Sequence, residues 1–193
     1  MRLTPIETPR NPLLRLSYWV MRRQFGKAIT PFKVIFARQP RALAAQVGIY
    51  FGLGSHMGIE PSLKFLVQEH VAALNGCGFC LDIGRAMATY QGLTLEKVDA
   101  LGAWRESPLF SARERAALAY VEEATRTHRA SDETFAALRA EFTDDQIVTL
   151  TWLNAVENYF NLLNGPLGID SDGLCAIADR RATSRASSQP SAA

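Results

Sequence analysis

Apolar residues recur at spacings of three and four along nearly the whole chain, and no segment of five or more residues alternates convincingly as a strand would. Breaks rich in glycine, proline and asparagine separate the periodic stretches. The pattern predicts helices over residues 12–25, 41–52, 61–75, 77–91, 94–102, 111–127, 131–141 and 143–163. The expected fold class is therefore all-α, a compact helical bundle.

Capping signals support several of these helix ends. Ser111-Ala-Arg-Glu114 and Thr143-Asp-Asp-Gln146 fit the capping box, in which a hydroxyl and a carboxylate or amide satisfy free backbone N–H groups. Asn75-Gly76 is a helix-ending signal, because glycine suits the left-handed position after a helix. A new helix is therefore expected to begin near Cys77.

The composition indicates one domain with a loose extension, because the chain has 193 residues and 48% of them are hydrophobic. No apolar run approaches the roughly 18 residues that would cross a bilayer. The N-terminus lacks the features of a signal peptide. We expect a soluble, cytoplasmic protein without a membrane span.

Positive charge is concentrated at the N-terminus, where residues 1–41 carry nine basic side chains against one acid, Glu7. Such a segment either binds nucleic acid or an anionic membrane, or packs its basic face on the acidic remainder or another subunit. Apolar side chains at helical spacing favour packing and no nucleic-acid partner: Leu13, Leu14, Leu16, Trp19, Val20 and Phe25. We predict a basic helical extension over 1–40, a helical domain over 41–180, and a disordered tail over 181–193.

Cys77 and Cys80 form a CxxC pair whose chemistry has several interpretations. A zinc site needs two more ligands, yet no second paired half-site exists among the other candidates, which are Cys175, His56, His70 and His128. Covalent haem needs a histidine directly after the second cysteine, where Leu81 stands. The sequence therefore predicts no metal and no cofactor.

A redox pair fits better than a pair of buried structural cysteines. A thiol at a helix N-terminus feels the partial positive charge of the free N–H groups, which lowers its pKa from about 8.5. The spacing puts both sulfurs on one face within one turn, so that one thiol can attack and the other resolve. Cys175 is expected to be a packed thiol.

Three separated segments resemble the AhpD-like, or carboxymuconolactone decarboxylase-like, family: Lys64–Met87 (KFLVQEHVAALNGCGFCLDIGRAM), Pro108–Arg126 and Phe142–Ile169. The resemblance covers roughly residues 40–175. It implies an all-helical fold that assembles as a homotrimer or homohexamer. Members with a CxxC are alkylhydroperoxidase-like enzymes, which implies a small hydroperoxide or disulfide substrate and an external dithiol reductant. Members that decarboxylate the lactone generally lack the pair.

The proton relay of that family is altered here. Its glutamate and its histidine fall at Phe65 and Gly84, and a further histidine of some members falls at Phe79. Glu69 and His70 are the candidate replacements, because they precede Cys77 by about two helical turns on one face. Histidine is a natural thiol base near neutral pH, and a glutamate can orient it.

Four further polar residues are candidates for supporting roles. Asp82 is expected to cap a helix or to lie in its first turn, because an anion beside a thiol raises the thiol pKa. Glu157, Asn158 and Asn161 form a polar stripe on an otherwise apolar helix, which the resemblance puts against the cysteine helix. They either serve the site or make hydrogen bonds between helices or subunits. Tyr159 and Phe160 are expected in the core.

The favoured function is a thiol-dependent peroxidase or disulfide oxidoreductase. Cys80 attacks and Cys77 resolves by family position, whereas helix-end electrostatics favours Cys77 as the more acidic thiol. One alternative is a non-thiol lyase that uses Glu69, His70 and Glu157 as acid–base groups. Another is a helical oligomer that senses redox state without turnover.

Overall fold

The computed structural model describes residues 1–54, 58–88 and 93–176. Within these ranges the chain is helical and contains no strand. The α-helices are α1 Pro12–Phe25, α2 Pro40–Gly54, α3 Pro61–Leu74, α4 Gly78–Met87, α5 Leu95–Asp99, α6 Ala112–Thr127, α7 Asp132–Glu141 and α8 Asp144–Asn164. Across the described ranges, none of the helices is long and apolar enough to span a bilayer.

The predicted helices agree with the observed ones except at four places, one of which is an unpredicted 3-10 turn after α8, Gly165–Leu167. The helix expected over 94–102 is α5 followed by a 3-10 turn, Ala100–Ala103, and the helix expected over 77–91 is assigned as α4, which ends at Met87. A π-helical turn, Phe32–Phe36, was not predicted. Both capping boxes are present, at Ser111 and Thr143. The tail predicted to be disordered over 181–193 lies outside the described residues.

Helix α3 lies at the centre of the bundle and packs against α4, α6 and α8. It contributes Leu63, Val67 and Val71 to one buried cluster and Phe65 and Leu66 to another. Because the helix is surrounded on all sides, its polar residues Glu69 and His70 are buried as well.

The N-terminal segment packs against the cysteine helix and shares its core. Tyr18, Met21, Ile29 and Val34 form one apolar cluster with residues of α3 and α4 and of the segment after α8. Four positions of the stripe expected to pack do not pack on the rest of this chain, since Leu13, Leu16, Trp19 and Val20 are exposed, and their packing on another subunit stays a prediction. Helix α1 instead buries Leu14, Tyr18 and Met21, which repeat at spacings of four and three on the opposite face.

A chain of polar contacts fastens this segment to α4. Lys27 Nζ lies 2.9 Å from Asp172 Oδ1, and Thr30 donates its backbone N–H to Oδ2 at 2.7 Å. The backbone N–H of Asp172 in turn donates to Asp82 Oδ2 at 2.8 Å. The basic N-terminal residues thus include one that pairs with an acid of the later chain.

Candidate functional site

The turn between α3 and α4 brings the cysteines to the beginning of a helix. Gly76 adopts a left-handed φ of 63°, the Gly76 N–H donates to Ala73 O, and the Cys77 N–H donates to Ala72 O. This is the Schellman arrangement, which uses two carbonyls left free at the end of α3. Cys77 is the N-cap residue of α4, as the Asn75-Gly76 signal predicts.

Cys77 and Cys80 are joined by a disulfide, with their Cα atoms 5.3 Å apart. Both residues are buried in the apolar cluster of the N-terminal segment. Cys80, in the first turn of α4, lines a cavity of about 290 Å³, whereas Cys77 is not part of that lining. We call this space the thiol cavity.

Side-chain amides of α8 donate to the sulfurs. Asn161 Nδ2 lies 3.2 Å from Cys80 Sγ, and Asn164 Nδ2 lies 3.6 Å from the same sulfur and 3.9 Å from Cys77 Sγ. Asn75 donates to Asn161 Oδ1 at 2.8 Å, which fixes the orientation of the Asn161 amide. Cys80 therefore receives the closer set of polar donors.

Two buried carboxyl groups lie beside the pair. Asn161 Nδ2 also donates to Glu157 Oε1 at 2.7 Å, so one amide group joins Glu157 to Cys80. Burial raises the pKa of Glu157 to about 7, although hydrogen bonds from Asn161 and Gln68 oppose the rise. Burial, helped by the charge of Glu157, raises the pKa of Glu69 to about 9. At neutral pH Glu69 is a neutral acid and Glu157 is poised between its two forms.

The Glu69 carboxyl group occupies the space that a side chain at position 84 would take. A Cβ atom built on Gly84 would overlap Glu69 Oε1 and Cδ and would lie 2.8 Å from Oε2. Glu69 and Gly84 are therefore complementary in shape, and the carboxyl group lies against the backbone of α4. Glu69 thus occupies the space beside position 84, where the family's histidine would stand.

The thiol cavity is mainly apolar. Five phenylalanines line it: Phe32, Phe36, Phe65, Phe79 and Phe160. Besides Cys80, the polar lining residues are Gln46, Gln68, Glu69, Glu157 and Asn164. Phe32 and Phe36 belong to the π-helical turn, so the N-terminal segment forms one wall of the site. Phe160, expected in the core, is half-buried and lies in this lining.

His70 does not lie with the cysteines. Its Nε2 is 3.1 Å from Glu122 Oε2, and it lines a second cavity of about 540 Å³ on the other face of α4, which we call the outer cavity. Burial lowers the pKa of His70, although the bond to Glu122 opposes the shift. Adjacent residues on a helix point about 100° apart, which separates His70 from Glu69. The structure thus brings Glu69 to the pair and leaves His70 apart.

Asp82 and Asn158 hydrogen-bond to neighbouring segments of the bundle. The Asp82 carboxylate accepts backbone N–H groups from Asp172, Leu174 and Cys175 at 2.6–2.8 Å. Burial alone would raise the pKa of Asp82, but these bonds outweigh it and leave the pKa below its usual value. Asp82 therefore binds the segment after α8 rather than capping its own helix. Asn158 Oδ1 accepts from Asn75 at 2.9 Å, and the Asn158 amide donates to Thr125 and Asn154.

Asn164 and Gln68 were not among the predicted site residues. Asn164 follows Glu157 and Asn161 at spacings of seven and three, which is the same helical face, but the predicted helix ends one residue before it, at 163. Gln68 bonds Glu157 across the α3–α8 contact, and no local pattern marks it. Within the described residues, no cluster of three or more potential metal ligands is present; His56 lies outside them.

Known proteins resemble both the sequence and the fold. The uncharacterized protein YnjA of Escherichia coli (strain K12) is 31% identical over 172 residues, which make up 88% of this chain and 93% of YnjA. A protein of unknown function from Agrobacterium tumefaciens, for which the antioxidant defence role of AhpD has been suggested, matches with a TM-score of 0.67 at 28% identity, over 72% of this chain and 96% of that one.

The debrominase Bmp8, in complex with 2,3,4-tribromopyrrole, matches the fold with a TM-score of 0.74 at 17% identity, over 94% of this chain and 99% of its own. The model of the carboxymuconolactone decarboxylase family matches residues 40–123, which include α3, α4 and the CxxC pair. This chain belongs to the carboxymuconolactone decarboxylase family.

Proposed function

We propose that the protein is a thiol-dependent peroxidase that reduces small apolar hydroperoxides with Cys80 and Cys77 and is recycled by an external dithiol. The observation that carries the proposal is the position of Cys80, whose sulfur borders an apolar cavity, accepts side-chain amide bonds and is disulfide-bonded to Cys77. A suggested antioxidant role for the Agrobacterium tumefaciens protein supports the same chemistry.

Cys80 is the attacking thiol in this proposal. It lines the cavity through which a substrate would reach the pair, and Asn161 Nδ2 at 3.2 Å stabilises negative charge on its sulfur. Its position in the first turn of α4 adds the partial positive charge of the helix N-terminus. Cys77 contacts Asn164 only at 3.9 Å and lies behind Cys80, which suits a resolving thiol.

Glu157 and Glu69 divide the acid–base work. A pKa of about 7 makes Glu157 a suitable acceptor for the Cys80 proton, and the Asn161 amide joins the two groups. A pKa of about 9 keeps Glu69 protonated at neutral pH, so it can donate to the alkoxide that leaves the peroxide. Environments that push two carboxyl groups to different pKa values are a common source of paired acid and base.

The cycle balances in three steps. The Cys80 thiolate attacks the terminal oxygen of ROOH, the O–O bond breaks, and Cys80 sulfenic acid and ROH form with a proton from Glu69. The Cys77 thiol then attacks the sulfenic sulfur, which forms the disulfide and releases water. An external dithiol reduces the disulfide by thiol–disulfide exchange and is itself oxidised.

The test is hydroperoxide-dependent oxidation of a dithiol by the full chain. We expect Cys80→Ser to abolish turnover and the oxidation of Cys77 by peroxide. Cys77→Ser should keep the first attack and accumulate a sulfenic acid on Cys80, detected by a dimedone adduct in mass spectrometry. Cys175→Ser, which removes the cysteine outside the disulfide, is the matched control and should keep full activity. Full activity in Cys80→Ser would contradict the proposal.

A second candidate function uses the same thiols on a small halogenated aromatic, and the five phenylalanines of the thiol cavity favour it. In that reaction ArBr and two thiols give ArH, HBr and the Cys77–Cys80 disulfide. Bromide release from 2,3,4-tribromopyrrole is measured beside peroxide consumption in the same preparation. Bromide release without peroxide-dependent turnover would favour the second function over the first.

A further inference from the structure

The outer cavity lies against the bundle on the face of α4 opposite the thiols, and the thiol chemistry does not use it. Its volume, about 540 Å³, falls within the range of small-molecule sites. Helices α3, α4 and α6 contribute to its lining, together with residues of α5 and the 3-10 turn. Glu69 is the one residue shared by the linings of the two cavities.

Its charged side chains favour an anion. Arg85, Arg105 and Arg126 line the cavity with one ionised carboxylate, Glu122, and Arg85 also pairs with Asp99 of α5, outside the lining. Glu122 is already engaged, because His70, Arg105 and Arg126 contact it at 3.1–3.3 Å. Burial alone would raise the pKa of Glu122, but the His70 bond and the Arg105 charge outweigh it and leave the pKa lowered.

The remaining lining groups add no compensating negative charge at neutral pH. Burial raises the pKa of Glu69 to about 9, so its carboxyl group is neutral there. His70, whose pKa burial lowers, is neutral too and acts as a donor to Glu122. Each guanidinium carries five N–H groups in a planar fork that fits a carboxylate. With Asp99 counted, three guanidinium groups face two carboxylates, so one positive charge is left over, with donors suited to a carboxylate.

The rest of the lining is apolar. Leu74 and Leu81 approach from α3 and α4, Val98 and Leu101 from the segment that follows, and Trp104 is a buried aromatic wall. The Arg105 guanidinium lies 4.2 Å from the centre of the Trp104 ring, which holds a cation at the edge of the apolar surface. Such a lining suits a ligand with one charged end and one apolar end.

We propose that the outer cavity binds a small monocarboxylate with an apolar body, with the carboxylate held by the arginines and the body packed against Trp104, Leu101 and Val98. The site is separate from the thiol pair. The proposal therefore does not depend on the function proposed above, and a binding measurement without turnover tests it alone.

The probe is hexanoate, and hexanamide is its neutral match. Isothermal titration calorimetry on the full chain at low ionic strength should give at least tenfold tighter binding of hexanoate, because a charge-assisted hydrogen bond to arginine contributes about 1.5–3 kcal/mol. The double variant Arg105→Gln/Arg126→Gln should lose about tenfold or more of the hexanoate affinity and leave hexanamide unchanged. Arg129→Gln, an exposed arginine near the end of α6 outside the lining, is the matched control.

A second variant keeps every charge and fills the space. A side chain at Gly102 would meet no atom within 4 Å at its Cβ, so Gly102→Leu should fold and occupy the cavity. We expect it to lose both hexanoate and hexanamide. Equal affinities for the two probes, no binding of hexanoate, an equal loss in Arg129→Gln, or unchanged hexanoate binding in Gly102→Leu would each overturn the proposal.

Discussion

The two faces of α4 present opposite kinds of environment. Toward the N-terminal segment lies the thiol cavity, where phenylalanines surround Cys80 and the carboxyl groups are buried. Toward α6 lies the outer cavity, where Arg105 and Arg126 pair with Glu122 and Arg85 pairs with Asp99. Glu69 borders both because Gly84 leaves room for its carboxyl group beside α4.

The glutamates on the two sides of α4 have pKa values that shift in opposite directions. In the thiol cavity, burial without a cationic partner raises the pKa of Glu69 and of Glu157. In the outer cavity, Glu122 is also partly buried, but His70 and Arg105 lower its pKa. Position relative to α4 therefore decides whether the pKa of a glutamate is raised by burial or lowered by an ion pair.

The largest expected effect is on the pH dependence of stability. A glutamate whose pKa is raised on folding stabilises the folded state most at low pH, and that contribution is lost as the pH rises from about 4.5 through the folded pKa. One pKa unit corresponds to about 1.36 kcal/mol, so Glu69 should change the free energy of unfolding by an amount on the order of a few kcal/mol between pH 5 and pH 9. Urea unfolding of the disulfide form measures it.

Variants separate the contributions by their pH windows. Glu69→Gln should flatten the curve between about pH 4.5 and pH 9, and Glu157→Gln should flatten it only between about pH 4.5 and pH 7. Glu122→Gln should behave oppositely, since a lowered pKa gives stability that is present above about pH 4.5 and lost on acidification. Parallel curves for wild type and Glu69→Gln would contradict the assignment.

The next effect concerns the amide on Cys80. Asn161→Ala removes the 3.2 Å bond to the sulfur and the bond to Glu157, and a hydrogen bond to a charged group contributes about 1.5–3 kcal/mol. We expect the rate of Cys80 alkylation by iodoacetamide at neutral pH, measured in Cys77→Ser protein, to fall roughly ten- to a hundredfold.

Two neighbours calibrate that result. Asn164→Ala should reduce the rate less, because its amide lies 3.6 Å from the same sulfur. Asn158→Ala, which removes a bond to Asn75, should leave it nearly unchanged. If Asn158→Ala slows alkylation as much as Asn161→Ala does, the amide acts through the fold and not on the sulfur.

The smallest expected effect tests the contact between Gly84 and the Glu69 carboxyl group, which lies between the two cavities. Gly84→Ala should destabilise the protein by about 1–3 kcal/mol, because the new Cβ overlaps the Glu69 carboxyl group in a packed site. In a Glu69→Ala background the same change should be neutral or should stabilise by about 0.5–1 kcal/mol, the usual gain for alanine over glycine in a helix. A double-mutant cycle in urea gives the coupling.

Gly48→Ala is the control, since Gly48 is an exposed residue of α2 with no atom within 4 Å of a built Cβ. It should stabilise the protein in both backgrounds. If Gly84→Ala stabilises the wild type as Gly48→Ala does, the side chain of Glu69 does not occupy the space beside Gly84.

Local signals made much of the fold predictable. Hydrogen bonds within a few residues form the capping boxes at Ser111 and Thr143 and the left-handed turn at Gly76. Such short-range patterns can be predicted from the sequence. The spacing of Glu157 and Asn161 likewise predicts one face of α8, and their side chains are hydrogen-bonded there. The family resemblance agrees with the all-helical fold.

Contacts between distant segments were the source of the errors. The stripe on α1 was expected to pack on the rest of the chain or on another subunit, and much of it is exposed on this chain. Helical spacing does not say which of two apolar faces meets the core. His70 was predicted beside the thiols, but it bonds Glu122 instead. The direction of its side chain depends on where α4 and α6 pack against α3, which the sequence does not show. The proposed catalytic roles of Cys77, Cys80 and Glu69 remain predictions for the experiments above.

The sequence by itself determined that this chain is a helical bundle with two cysteines at the beginning of a helix, since periodicity, capping and the Asn75-Gly76 turn are local properties of the chain. Only the tertiary structure decided that Glu69 fills the space beside Gly84, that Asn161 and Asn164 reach the sulfurs, and that the N-terminal segment forms a wall of the thiol cavity. These features depend on which faces of separate helices meet, and packing of the whole bundle sets those faces.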